Sequence, residues 1–226
     1  LLARPDLARP SPADLTSLAA RAVTRAALSR ALDALDTAHL QVLEGLAVLG
    51  GVPTDDLAPL AQLMGSTPSA LEPLVERLWR LALLWRARAW HVPRPVVDLL
   101  GPYVAGLAAA PAGSSSGSGS GSDDASAARI DAALAGLDPT ERAVLDRLTW
   151  GPPLGRLPST GVAADASRRL LAAGLLVSAG DASGQVLLPR EVALRLRGGR
   201  LHSRFAVTPP EPTGRAVPAG QVGTAA

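Results

Sequence analysis

Two stretches of this chain carry nearly the same message. HVPRPVVDLL occupies residues 91–100 and LLPREVALRL residues 187–196, each closing a hydrophobic run with Pro-Arg-x-Val and apolar residues at helical spacing. A pattern repeated at this distance constrains the fold more tightly than composition does, because a copied unit must bury its own small core twice. The repetition holds at three places. Leu32, Leu35, Asp36, Val42 and Leu43 match Leu134, Leu137, Asp138, Val144 and Leu145 at an offset of 102. Arg77, Leu78, Leu83 and Leu84 match Arg169, Leu170, Leu175 and Leu176 at 92. Pro93, Arg94, Val96 and Leu100 match Pro189, Arg190, Val192 and Leu196 at 96. Offsets that change by a few residues mark insertions in loops, where a duplicated fold tolerates them.

Periodicity predicts the same element order in each copy. In the first, Asp36 is placed to cap a helix to about Leu49, Gly50-Gly51 ends it, Thr54 starts a second to about Met64, and Gly65 turns the chain. Thr67 then caps a third, with Pro68 at the first helical position, where a missing amide hydrogen has no partner to lose. Leu71, Leu74, Val75, Leu78, Trp79 and Ala82 form its apolar stripe. Residues 83–92 turn extended, Arg86 and Arg88 alternating against Trp85, Ala87 and Trp90. In the second copy, Asp138-Pro139 opens a helix to about Trp150, GPPLGRLPSTG reads as a poor middle helix, and Asp165 caps a helix through Ala173, with Gly174 as its stop. Strands at 175–177 and 185–188 flank the turn SAGDASG.

Three helices followed by a β-hairpin is the winged helix-turn-helix order. The fold expected is therefore mainly α with small β-wings: tandem winged helix-turn-helix domains joined by a flexible Gly/Ser linker. Pro93 and Pro189 stand at the junction of wing and exit helix, since proline cannot donate to a ladder and has its φ preset. The divisions expected are a helical extension over 1–26, a winged-helix domain over 27–110, a Gly/Ser-rich linker over 111–126, a second winged-helix domain over 127–204 and a disordered tail over 205–226. Leu7, Leu15, Leu18, Val23 and Leu28 supply the apolar positions of one or two leading helices, with SPADL as a cap. The run GSSSGSGSGSDD has no side chain able to pack, and ten such residues span about 17 Å as a random coil, so the halves are expected to move independently.

The 226 residues are 47% apolar with mean hydropathy +0.21, enough to fill real cores. Charges and prolines interrupt every apolar run before the roughly 18 residues of a membrane helix, so a soluble protein is expected. The absence of cysteine removes disulfides, thiolate metal sites and cysteine nucleophiles, and fits a cytoplasmic location, nucleoid-associated if DNA is bound. The chain opens on leucine, and Arg4, Asp6 and Arg9 break up any signal-peptide core, which reads as a fragment or processed chain. All 22 basic residues are arginine, yet the net charge is only +2, so a case for nucleic acid must come from where the arginines sit. The Ala-, Arg-, Gly- and Pro-rich vocabulary points to a high-GC genome, which weakens the meaning of each single arginine.

The stretch LLARPDLARPSPADLTSLAARAVTRAALSRALDALDTAHLQVLEGLAVLGG, together with LLPREVALRLRGG, resembles the amino-terminal region of the large actinobacterial helicase-associated proteins, whose later part is similar to an XPB-like helicase domain. The similarity covers roughly residues 1–204 and rests on leucine, alanine and arginine patterns. It implies a multi-domain protein tied to DNA helicase machinery, and it transfers no catalytic residue.

The residues themselves argue against catalysis. A helicase motor needs a P-loop lysine to reach the β and γ phosphates, and the chain has no lysine. His39, His91 and His202 lie far apart without metal-ligand spacing, and no serine stands in a nucleophile elbow. Asp55-Asp56 and Asp123-Asp124 suit caps and solvation better than acid-base work. No enzyme activity, catalytic residue, cofactor, metal or small-molecule substrate is expected. Binding has a positional case. Between Arg77 and Val97 lie Arg77, Arg80, Arg86, Arg88 and Arg94 with no acid, the end of a recognition helix plus a wing. In the second copy, Arg168 and Arg169 fall on the third helix, and Arg190 follows the wing, ahead of Arg195, Arg197, Arg200 and Arg204. The DNA-binding residues expected are Arg77, Arg80, Arg86, Arg88, Arg168, Arg169 and Arg190, contacting double-stranded DNA. Residues 27–107 nevertheless carry six arginines against eight acids. Trp79, Trp85 and Trp90 are expected in the core. The rival expectation is a protein partner, or a further domain of the same protein, docked on wide apolar faces over 71–84.

Overall fold

Short polar residues set the helix starts. The computed structural model describes residues 3–109, 120–158, 160–180 and 184–208, with side chains from 125 onward in the second stretch. Helix α1 (Pro5–Ala8) is followed by α2 (Leu15–Ala22), where the Asp14 carboxylate accepts the Ser17 amide hydrogen at 2.7 Å, as SPADL predicts. Thr24 caps α3 (Arg25–Asp33). The buried Arg4 guanidinium ties this extension down by donating to Asp6, to the Ala27 carbonyl and to the Leu81 carbonyl, each near 2.9 Å.

The first unit opens with α4 (Thr37–Leu49), whose cap Asp36 accepts from the His39 amide at 2.9 Å. Gly50 ends it at φ +72, a left-handed value that a side chain disfavours. Then come β1 (Val52–Pro53), α5 (Ala58–Met64), α6 (Pro68–Arg80), β2 (Trp85–Arg86), β3 (Ala89–His91) and α7 (Arg94–Leu100). The predicted start at Thr54 is corrected. Its amide is engaged by the Arg88 carbonyl, prolonging the strand pairing, so α5 begins only after Leu57, where Asp56 accepts from the Ala58 amide. Thr67 does stand at the cap of α6, but its hydroxyl lies against Ser69 and caps nothing.

The second unit holds α8 (Ser120–Ala135), α9 (Pro139–Thr149), β4 (Leu154–Arg156), α10 (Val162–Ala172), β5 (Val177–Ser178), β6 (Gln185–Leu187) and α11 (Arg190–Leu196). Asp138 and Glu141 form a full capping box on α9. The middle helix expected from GPPLGRLPSTG does not form: Pro152, Pro153 and Pro158 deny the helical ladder its donors, and the segment supplies strand β4 instead. Asp165 is not the cap of α10 either; Gly161 is, and Asp165 sits in the first turn beside Arg168.

Neither β1 nor β4 was legible as a strand, and each turns a hairpin into a three-stranded antiparallel sheet of the same order. In the first, β3 lies between β1 and β2, pairing Val52 with Trp90 and Arg86 with Trp90. In the second, β6 lies between β4 and β5, pairing Leu154 with Leu187 and Val177 with Leu187. The architecture is a helix-rich fold with two small antiparallel sheets. Pro93 and Pro189 both stand at the N-caps of the closing helices, α7 and α11, the junction expected of them.

The halves do not float apart. One continuous apolar cluster runs from Leu28, Leu43 and Leu78 in the first unit to Leu145, Leu170 and Val192 in the second. The segment after α11 crosses back over the first unit. The Leu201 amide donates to the Leu63 carbonyl at 2.9 Å, and Gln41 donates to the Arg204 carbonyl at 3.0 Å. Phe205 and Val207 pack on the core, so the start of the tail expected over 205–226 is ordered, and its residues 209–226 lie outside the described residues. Gly45 permits the close packing of α5 on α4 beneath this crossing. A Cβ there would meet Leu60 Cδ1 at 2.8 Å, with Leu201 Cδ2 at 3.8 Å behind it. The linker expected over 111–126 is shortened from its far end, because α8 begins at Ser120; residues 110–119 lie outside the described residues.

Arg197 is the main stitch. Only 4% exposed, it donates Nε–H to the Thr149 carbonyl, Nη1–H to Ala105 at 2.9 Å and to Leu201 at 3.0 Å, and Nη2–H to Gly106 at 3.1 Å. Its guanidinium also lies 5.0 Å from the Trp150 ring centroid. Burial among neutral acceptors lowers the pKa of Arg197. Ala105, in the turn Val104–Gly106, holds φ +52, a costly value for alanine that aims two carbonyls at the one cation. Beside this stitch, His202 Nε2 is buried without a hydrogen bond, 3.4 Å from Glu44 Oε2; burial lowers the imidazole pKa and raises that of the carboxyl.

Candidate nucleic-acid interface

The seven arginines expected to meet DNA divide into three groups. Arg168, Arg169 and Arg190 belong to the second unit and are spent inside the molecule. Arg168 pairs with Asp165 one turn before it on α10. Arg169 reaches across to the start of α9, 2.7 Å from Asp138 and 2.6 Å from Glu141. The Glu141 amide, foremost, and the Arg169 charge hold the Asp138 carboxyl below its ordinary value. Arg190 is half-buried at the start of α11 and donates to the Val48 carbonyl at the end of α4, where burial lowers its pKa. It follows the second hairpin, as expected, and its side chain ties the two units together.

Arg77 and Arg80 end α6 in the first unit, both exposed. Arg80 pairs with Glu76 at 3.2 Å. Arg77 occupies the position that repeats as Arg169, and its charge likewise bears on a cap, Asp36. Burial pushes the Asp36 carboxyl up, but hydrogen bonds from His39 and the Arg77 charge hold it below its ordinary value. Arg169 thus anchors the end of α10 to the start of α9, whereas its counterpart Arg77 joins no ion pair among the described residues and bears on Asp36 only through space.

Arg86 and Arg88 remain on the β2–β3 hairpin, exposed. Arg86 spreads over two indoles, 5.0 Å from the Trp79 centroid and 5.4 Å from that of Trp90. The rings of Trp79 and Trp90 meet edge to face at 6.4 Å, while Trp85 stacks on His91 at 4.4 Å. Trp90 is buried, as expected. Trp79 and Trp85 are not: they are 38% and 50% exposed, because the strands are too short and the hairpin too narrow to fold over them. The missed signal was the spacing of Trp85 and Trp90, five residues apart across a tight turn, which puts them on opposite faces of the ribbon.

The apolar stripe of α6 has a different fate from the one expected. Leu71, Leu74, Val75, Leu78, Leu81, Leu83 and Leu84 are all buried within the unit's own core, so no wide apolar face over 71–84 is left for a partner. The outward face of α6 carries Glu72 and Glu76 instead. Among the described residues, no group of three His, Asp or Glu gathers as cation ligands, and no helix is long and apolar enough to cross a membrane. Compared with protein-family models, with curated proteins and with solved structures, the chain matches none.

Proposed function

We propose that this chain is a non-catalytic docking module: two winged-helix units locked to one another, with the wing of the first presented to a protein surface. The order of α4, β1, α5, α6 and the β2–β3 hairpin, with β1 paired onto β3, supports the winged-helix reading of the first unit. The second keeps that order without its middle helix. The observation that carries the docking reading is the aromatic ledge around the β2–β3 hairpin: Trp79 exposed beneath Arg86 on one face of the ribbon, and Trp85 exposed on the other, stacked on His91. Tryptophan and arginine are the residues that most often dominate protein interfaces, the first by the area of a rigid ring and the second by its planar, multi-donor guanidinium. On the resemblance to helicase-associated proteins, the partner is another domain of DNA-unwinding machinery.

Double-stranded DNA is the second reading, favoured by Arg77, Arg86 and Arg88, which are exposed and join no ion pair among the described residues. Its weakness is the acid carried on the outward face of α6, the helix that would enter a groove. Two measurements separate the readings. A photo-crosslinking residue at position 85, introduced in cells, gives a protein adduct if docking is right. A labelled duplex titrated at low and physiological salt gives only non-specific affinity, about 10⁻⁴ to 10⁻⁶ M. A DNA adduct, or tight duplex binding lost on R86A/R88A, would reverse the assignment.

A further inference from the structure

We infer that the groove between α6 and the β1 edge of the first sheet receives a cationic, partly aliphatic segment of the partner protein; this rests on the docking reading above. The groove has a volume of about 420 Å³. Leu57, Val75 and Trp90, all buried, form its floor, and Thr54 closes one end. Its helical rim is acidic: Glu72 and Glu76 stand four residues apart on one face of α6. From Val52 to Glu76 the chain has four carboxylates and no cation.

The charges of the rim are not consumed by the fold. Glu72 joins no ion pair among the described residues, and Glu76 meets only the exposed Arg80. Two carboxylates flanking a dry floor attract an arginine or lysine whose methylene stem covers Leu57 and Val75 while its head lies between them. The same pair repels phosphate. The groove adjoins the aromatic ledge through Trp90, which is floor to one and, beneath Arg86, support to the other. A single extended segment can therefore engage both, an aliphatic or aromatic residue on the ledge and a basic residue in the groove.

The test is selection from a random 16-residue peptide display library on the full chain, followed by tryptophan-fluorescence titration of the selected peptides. Peptides enriched in arginine or lysine beside an aliphatic residue are expected, with affinity falling about fivefold or more in E72Q/E76Q, in keeping with the loss of two charge-assisted contacts. Both glutamates lie off the core, so circular dichroism of E72Q/E76Q should match the parent. Selected peptides without excess positive charge, or indifferent to E72Q/E76Q, overturn the groove assignment. If such peptides are still lost on W79A/W85A, the docking reading stands without it. A library that yields nothing, or whose peptides ignore both double variants, overturns both.

Discussion

Replacing Arg197 by alanine tests whether the two units are one cooperative body. The side chain supplies donors to four carbonyls, Thr149, Ala105, Gly106 and Leu201, from both sides of the junction, and caps the Trp150 ring. Hydrogen bonds to a charged group each net about 1.5–3 kcal/mol, and a cation over an indole adds about 0.5–2. Against that sum stands the desolvation of a cation that no carboxylate neutralises, several kcal/mol regained when it is removed. Water entering the gap also satisfies some of the freed carbonyls. The balance is a loss of about 3 kcal/mol, or about 6–12 °C of thermal midpoint for a chain of this size. Denaturant unfolding followed by tryptophan fluorescence reports it directly, since Trp150 sits against the guanidinium. The parent should unfold in one transition. R197A should show a lower midpoint and separate steps for the two units, and R197K an intermediate effect, because an ammonium reaches fewer carbonyls. A shift below about 1 kcal/mol with a single transition would refute the idea that this residue joins the halves.

Gly45→Ala should destabilise by about 1–3 kcal/mol despite alanine's better helix propensity, because the new Cβ collides with Leu60; G45A/L60V should recover part of the loss in the same unfolding assay. Arg169→Ala should lower the thermal midpoint more than Arg77→Ala, since Arg169 bonds two carboxylates directly while Arg77 acts on Asp36 only through space; the reverse order would refute the anchoring role of Arg169. Acid should also act through the repeated caps. Asp36 and Asp138 have folded pKa values below the ordinary 3.8, so their contribution is present above that pH and is lost as pH falls through the lowered values. Denaturant midpoints taken from pH 6 down to pH 3 should fall, and D36N/D138N, which keeps an acceptor at each cap but cannot titrate, should flatten the decline.

What the sequence disclosed was local. Asp36 and Asp138 were readable as caps because a cap depends on a neighbour three residues away, and the stripe from Leu71 to Leu78 was readable because helical period is written in consecutive residues. The strands β1 and β4 were not, since two or three residues give no period, and only pairing with β3 and β6 makes them strands. The arginines misled for the same reason. Position along the chain placed Arg169 and Arg190 near a wing, while their partners, Glu141 and Val48, lie 28 and 142 positions earlier. The ledge was half visible: three tryptophans and an arginine in a short window stood out, but which rings stay in water follows from how little ribbon there is to cover them.

The return of Leu201 to the Leu63 carbonyl has a consequence for how the chain is made. Translation delivers residues in order, at about 5–20 per second. The partners of Leu63, Gln41 and Glu44, namely Leu201, Arg204 and His202, are synthesised more than a hundred residues after α4 and α5. The first unit is thus made with a strip of α4 uncovered, and its final consolidation must wait until residues 201–204 have followed.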